Sequence, residues 1–184
     1  EDKAKEEGLL EILGKDMDDK FISAVKKQVI NPDVIKEQKD LDIVYTPLHG
    51  TGNKPVQRIL KEVGFENIHV VIEQEEPDGN FTTVGYPNTE DPSVFKMGIE
   101  LAETTGSELI LANDPDGDRI GTAVKTPKGE WIYPNGNQIG ILLAEYILQN
   151  KKDIPDNATI VYTIVSNPML DAVEEAYGVD VIRT

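Results

Sequence analysis

The sequence contains no cysteine, which removes disulfides, thiolate nucleophiles and cysteine-ligated metals at once. Basic residues are also scarce: 18 lysines and arginines face 34 aspartates and glutamates, for a net charge of −16. A chain this acidic repels a phosphate backbone instead of releasing its counterions, so neither nucleic acid nor an anionic membrane surface is an expected partner. Long hydrophobic runs are missing too. The most apolar stretch, Gly140 to Leu148, is interrupted by Glu145 and is far too short to cross a bilayer. Residue 1 opens a charged helical stretch, not a signal peptide, and the default expectation is a cytoplasmic protein. What is present suffices for a core. Apolar residues make up 39% of 184, which fits one ordinary domain plus additional material.

Residues 1–40 read as charged and helical, with Phe21, Val25 and Val29 at i, i+4 and i+8 forming the stripe of a helix on a core. Asn31-Pro32 marks a turn. Asp42 to Pro47 is the first strand, followed by the turn His49-Gly50-Thr51-Gly52, a helix over about Val56 to Val63, and Gly64 as its stop. Asn67 to Ile72 is a second strand. Glu73 to Glu90 shows no period and is rich in Pro, Gly, Asn and Thr, and irregular loops of that length tend to be functional or disordered. Asp91-Pro92 caps the next helix, whose buried positions include Phe95, Ile99 and Ala102. A strand at Glu108 to Ala112 leads into an acidic loop, and Ile120 to Val124 returns as a strand that should pair antiparallel. A short strand at Trp131 to Tyr133 and an apolar helix from Gln138 to Leu148 follow.

Alternating strands and helices of this kind specify an α/β fold, here a three-layer domain with a mixed, mostly parallel sheet. After residues 150–157 the pattern restarts as strand Thr159 to Ile164, helix Pro168 to Tyr177 and strand Val179 to Ile182. One βαβ unit cannot bury both of its faces, so the C-terminus is expected to be an incomplete second domain. The expected divisions are 1–40 (linker and covering helix), 41–150 (the main domain) and 151–184 (the incomplete unit).

The acidic loop, Asn113-Asp114-Pro115-Asp116-Gly117-Asp118-Arg119, carries the strongest chemical signal. Aspartates at i, i+2 and i+4 repel one another unless neutralised, and a hard divalent cation with oxygen ligands neutralises them. The loop follows the carboxyl end of a strand, where open α/β sheets bind ligands. Arg119 adds a planar guanidinium suited to phosphate. A solvated acidic turn is the plainer alternative. An EF-hand loop requires glycine at position six and glutamate at position twelve, where this sequence has Arg119 and Lys125. An aspartate-nucleophile phosphatase would place Thr or Val after its D-x-D motif, where Arg119 follows Asp118.

DPDGDRIG (Asp114 to Gly121) resembles the metal loop of the α-D-phosphohexomutases, the phosphoglucomutase/phosphomannomutase family. VYTPLHGTG (Val44 to Gly52), EPDGNF (Glu76 to Phe81) and Pro87-Asn88 resemble the second domain of the same family, in the same order. The resemblance runs over about residues 20–184, the last part being similar to the opening of the third domain. It implies that Asp114, Asp116 and Asp118 hold Mg²⁺ and that Arg119 positions the transferring phosphoryl group. It further implies an isomerase that interconverts the 1- and 6-phosphates of glucose or mannose through a phosphoserine and a bisphosphate intermediate.

The family's phosphoserine lies in a T-A-S-H-N-P motif that this chain lacks. Ser166-Asn167-Pro168 has no histidine and reads as the cap of the last helix. The family's third-domain G-E-E-S-G-H motif is also missing, so the 184-residue chain is expected to be catalytically inert by itself. His49 is a candidate for substrate contact, because its glycine-rich turn between strand and helix can face an anion. The alternative of a turn residue with a hydrogen-bonded imidazole remains open, as His69 within a strand reads as structural. Two other readings also remain: a phosphopentomutase of the same superfamily, and a non-catalytic divalent-cation-binding or assembly module. The exposed strand edges of the C-terminal unit could also pair between chains.

Overall fold

The computed structural model describes residues 1–184, apart from the side chain of Glu174. Three helices come first: α1 (Asp2–Glu6), α2 (Lys15–Lys26) and α3 (Pro32–Glu37). A five-stranded sheet follows, formed by β1 (Ile43–Thr46), β2 (Ile68–Val70), β3 (Leu109–Asn113), β4 (Ile120–Lys125) and β5 (Trp131–Ile132) in the order β2-β1-β3-β4-β5. β1 lies parallel to both β2 and β3, whereas β3–β4 and β4–β5 are antiparallel. The sheet is thus mixed, as the alternation of elements predicts, with its antiparallel part beginning at the acidic loop.

Two helices form the crossovers: α4 (Asn53–Val63) between β1 and β2, and α5 (Lys96–Thr105) between β2 and β3. The first crossover steps to one side of β1 and the second steps back past it. Right-handed connections therefore place the two helices on opposite faces, giving three layers. β1 is the middle one of the three parallel strands and is buried on both faces, which is why Ile43, Val44 and Tyr45 are all bulky or apolar. The core contains Val44, Leu48, Val71, Val94, Phe95, Ala102, Ile110, Ala112 and Ala123. Gly98 lets α5 lie close to the sheet, since a Cβ there would stand 3.0 Å from the Ile110 side chain.

α2 packs on α4, but not through the stripe that its spacing suggests. Ile22 is 2% exposed, whereas Phe21 is 57% and Val25 36% exposed, and Val29 lies beyond the helix end. The contact face runs through positions 19, 22 and 26, where Asp19 meets Arg58 at 2.5 Å and Lys26 meets Glu62 at 3.6 Å. Those ion pairs flank Ile22 on the face that meets α4, and Phe21 and Val25 lie on the more exposed side of the helix.

The last helices and strands are α6 (Gly136–Asn150), β6 (Thr159–Tyr162), α7 (Asp171–Tyr177) and β7 (Asp180–Arg183). α6 starts two residues before the predicted Gln138 because Asn135 and Gln138 form a reciprocal capping box, with bonds of 3.0 and 2.9 Å. β6 and β7 pair in parallel as a separate two-stranded sheet, so the C-terminal βαβ unit forms as expected. Tyr162, Leu170, Val173 and Val179 make its small core, and Ile141, Ala144 and Leu148 of α6 pack against it. Asn167 accepts from the Met169 amide at 2.9 Å with Pro168 at the first helical position, the capping role read from the sequence. No helix among the described residues is long and apolar enough to cross a membrane.

Candidate functional site

The acidic loop joins β3 to β4 at the carboxyl end of β3, beside the carboxyl end of β1. Gly117 has φ +74° and donates its amide to the Asp114 carbonyl at 3.0 Å, closing a tight turn that folds the aspartates back toward one another. One carboxylate oxygen from each of Asp114, Asp116 and Asp118 consequently lies within 4.8 Å of the others. Two unit charges at that spacing repel by roughly 1 kcal/mol in water and about 3 kcal/mol at a protein surface. Asp114 is the buried member at 7% exposure; its Oδ1 accepts from the Arg119 amide at 2.9 Å.

Arg119 offsets this charge only in part. Its Nε stands 3.8 Å from both Asp114 Oδ2 and Asp118 Oδ1, and its side chain is 62% exposed. The guanidinium thus faces the open side of the loop with donors to spare. Three carboxylates with hard oxygen donors suit a hard divalent cation. Oxygens bound to an ion the size of Mg²⁺ lie about 3–4 Å apart, so the triad needs to contract by only about 1 Å. The residues present fit such an ion.

The turn after β1 supports the loop from the side. Thr51 donates its amide to the Pro115 carbonyl at 2.8 Å, and its hydroxyl reaches the same oxygen at 3.2 Å. Gly50 is required by this contact, because a Cβ there would stand 2.4 Å from Pro115 Cα. Leu48 and His49 both have positive φ, at 46° and 65°. Such backbone costs about 1–3 kcal/mol per residue and persists only where neighbours hold it. Here the Leu48 amide donates to Thr46 Oγ1 at 3.1 Å and the His49 amide to the Gln74 carbonyl at 2.9 Å.

The His49 imidazole is buried and engaged on both sides. Nδ1 lies 2.8 Å from the Glu76 carbonyl, which makes it the protonated nitrogen, and Nε2 lies 2.8 Å from Thr83 Oγ1. The Thr83 hydroxyl donates to that nitrogen and accepts from Gln74 Nε2 at 3.2 Å. Gln74 Oε1 in turn accepts from the Thr46 hydroxyl at 2.6 Å. Every member of this chain has one consistent direction, and it ties the β1 turn to the irregular segment 73–90. Asp78 orders the same segment by accepting from the amides of Asn80 and Thr82, both at 2.9 Å. Hydrogen bonds from Thr82, side chain first, and from Asn80 hold its carboxyl down to about 2.

Arg58 and Lys125 are committed elsewhere. Arg58 bonds Asp19 and Glu62, and Lys125 bonds Glu103 at 2.9 Å while lying over the Trp131 ring. His69 pairs with Asp42 at 2.7 Å, a structural contact across the β1–β2 edge. A cleft of about 690 Å³ between α2 and the β1 turn is lined by Met17, Phe21, Ile22, Pro55 and Pro77, and does not include the three aspartates. Sequence reasoning missed Gln74, Thr83, Tyr45 and Asn113 as parts of this site. No periodicity singles out a polar residue whose partners are 9 to 68 positions away.

Residues 19–129 match the family model described as phosphoglucomutase/phosphomannomutase, alpha/beta/alpha domain II, and residues 135–184 match the model for domain III. The chain belongs to the phosphoglucomutase/phosphomannomutase family. A phosphoglucomutase of Staphylococcus epidermidis is 36% identical over 143 residues, covering 78% of this chain and 26% of that relative. A phosphomannomutase of Mycoplasmoides pirum is 33% identical over 180 residues, covering 98% of this chain and 32% of that relative. The chain thus spans about a quarter to a third of the length of these curated relatives. Among solved structures, a phosphoglucomutase/phosphomannomutase family protein of Burkholderia thailandensis shares the fold with a TM-score of 0.64 at 23% identity, over 90% of this chain and 32% of that one.

Proposed function

We propose that this chain is the cation-loop portion of a phosphohexomutase, an isomerase that interconverts the 1- and 6-phosphates of glucose or mannose. The observation that carries the proposal is the convergence of three carboxylates within 4.8 Å, with Arg119 beside them, at the carboxyl end of the central strands. Asp114, Asp116 and Asp118 would hold Mg²⁺. The ion would supply charge neutralisation at the transferring phosphoryl group. Arg119 has uncommitted donors for phosphoryl oxygens and would orient them for in-line transfer. The nucleophile in this reading is a phosphoserine outside the chain, whose phosphoryl passes to a sugar hydroxyl and is regained from the other end of the bisphosphate. His49 enters as a holder of the β1 turn, since substrate contact by its ring would cost the bond to Glu76 or Thr83.

In the domain organisation we propose, residues 1–40 are a linker with a covering helix, the metal-loop domain follows, and the incomplete unit closes the chain. α6 sits with that last unit through Ile141, Ala144 and Leu148. Pairing of chains through the open β6–β7 edges, where Val161 and Ile182 are exposed, belongs to the same proposal. Light scattering across a concentration series tests it, a strict monomer counting against it.

The activity is tested with a longer protein that includes the flanking regions, assayed on glucose 1-phosphate and mannose 1-phosphate with Mg²⁺. Asp116→Ala should lower turnover by about a hundred- to a thousandfold while leaving the fold intact. Undiminished turnover in that variant sinks the assignment of the loop. The 184-residue chain should show no turnover.

A further inference from the structure

We propose that Asn113 is a positioning residue for the acidic loop, acting as a side-chain clamp across its base. This inference rests on the reading of Asp114, Asp116 and Asp118 as cation ligands and names what holds them in place.

Asn113 is the last residue of β3 and pairs in register with Ile120, the first residue of β4. Its Nδ2 donates to the Arg119 carbonyl at 2.7 Å, so one side chain bridges the two ends of the loop. Its Oδ1 accepts from the Tyr45 hydroxyl at 3.3 Å. The two contacts agree on one orientation of the amide; the flipped orientation would set Oδ1 against the Arg119 carbonyl, with no proton between them. Tyr45 is fully buried in β1, and burial raises its phenol well above the usual range, so it remains a neutral donor. Gly52 keeps room for that hydroxyl, since a Cβ there would stand 2.9 Å from it.

The clamp acts on the ligands through Arg119. The carbonyl of Arg119 is held by Asn113, while its amide holds Asp114 Oδ1 at 2.9 Å. The carboxylate of Asp114 therefore keeps one oxygen oriented within the protein and the other available to an ion. On the far side of the loop Thr51 pins the Pro115 carbonyl. Mutual repulsion of three carboxylates drives the loop open, and these fixed points resist it before any ion arrives. Partners that orient ligands without touching the ion contribute about 10- to 100-fold to metal affinity at comparable sites.

The test uses the 184-residue chain, with MgCl₂ titrated by calorimetry and amide exchange followed by NMR in the metal-free protein. Asn113→Ala should weaken Mg²⁺ binding about tenfold. It should also accelerate exchange at the Arg119 and Gly117 amides, while β1 protection and the thermal midpoint stay close to the parent values. Tyr45→Phe, which deletes one atom, should weaken binding roughly two- to threefold and serves as the second variant if Asn113→Ala does not fold. Asn113→Asp retains the acceptor for Tyr45 but loses the donor to Arg119, so it should reproduce the faster exchange at Arg119. Parent-like affinity and exchange in Asn113→Ala overturn the clamp alone. A lowered thermal midpoint with unchanged affinity makes Asn113 merely structural and overturns the inference as well. Failure of the unsubstituted chain to take up Mg²⁺ overturns the cation reading and the positioning role with it.

Discussion

At the scale of single residues, charge and close approach dominate around the acidic loop. Gly50 abuts the backbone of Pro115, an obstacle that no rotamer can relieve. Gly50→Ala should therefore destabilise the chain by about 1–3 kcal/mol in urea unfolding and weaken cation uptake in the same protein. Intact stability would show that the turn moves freely against the loop. Asp78 gives a pH signature. Its folded-state pKa, about 2, lies below the usual 3.8, so its contribution is present above pH 4 and lost as the pH falls toward 2. Acid unfolding of Asp78→Asn should accordingly show a flatter pH dependence between 4 and 2, and a superimposable curve would refute the contribution. Segment 73–90, which carries Asp78, was legible as an irregular loop from composition, but the polar chain from Thr46 to His49 was not. Its members are ordinary polar residues whose partners come from other elements.

At the scale of elements, the sheet was legible because each strand and helix carries its own period. β1, β3 and β4 lie within two residues of the runs read from the sequence, and Gly64 and Gly106 end α4 and α5 with positive φ as C-terminal glycines do. α2 was misread at the level of its facing. Phe21, Val25 and Val29 have helical spacing, yet Ile22 is the residue buried against α4. Spacing alone offered two apolar faces on α2, and the one that meets α4 is that of Ile22, flanked by Asp19–Arg58 and Lys26–Glu62. The two facings predict different mutants. Ile22→Ala should cost about 2–4 kcal/mol by urea unfolding, and Phe21→Ala less than about 1 kcal/mol. The reverse order would restore the facing read from the sequence.

At the scale of the whole molecule, the two sheets differ in how well they are buried. The five-stranded sheet has helices on both faces and a core with residues at 0–2% exposure. β6 and β7 form a two-stranded sheet whose four core residues remain 5–8% exposed, and a pair of strands is marginal without more cover. Amide exchange should therefore strip protection from β6 and β7 well before β1 and β3, and equal protection would show a single cooperative unit. The charge of −16 adds a global effect, since self-repulsion destabilises a compact acidic chain. Mg²⁺ should raise the thermal midpoint by linkage, with about 2.7 kcal/mol at a hundredfold excess over the dissociation constant, and Asp118→Ala should abolish that gain at equal ionic strength.

Local chemistry alone determined the α/β class, the mixed sheet, the position of the acidic loop at a strand end and the identity of its three aspartates. Strand period, glycine stops and i, i+2, i+4 carboxylates are properties of neighbours along the chain, and neighbours are what a sequence displays. Only the tertiary structure decided that Ile22 faces inward, that His49 spends both ring nitrogens on Glu76 and Thr83, and that Tyr45 and Asn113 close the loop. Those outcomes depend on which distant groups the fold brings within hydrogen-bond reach, a three-dimensional selection that no spacing along one chain encodes.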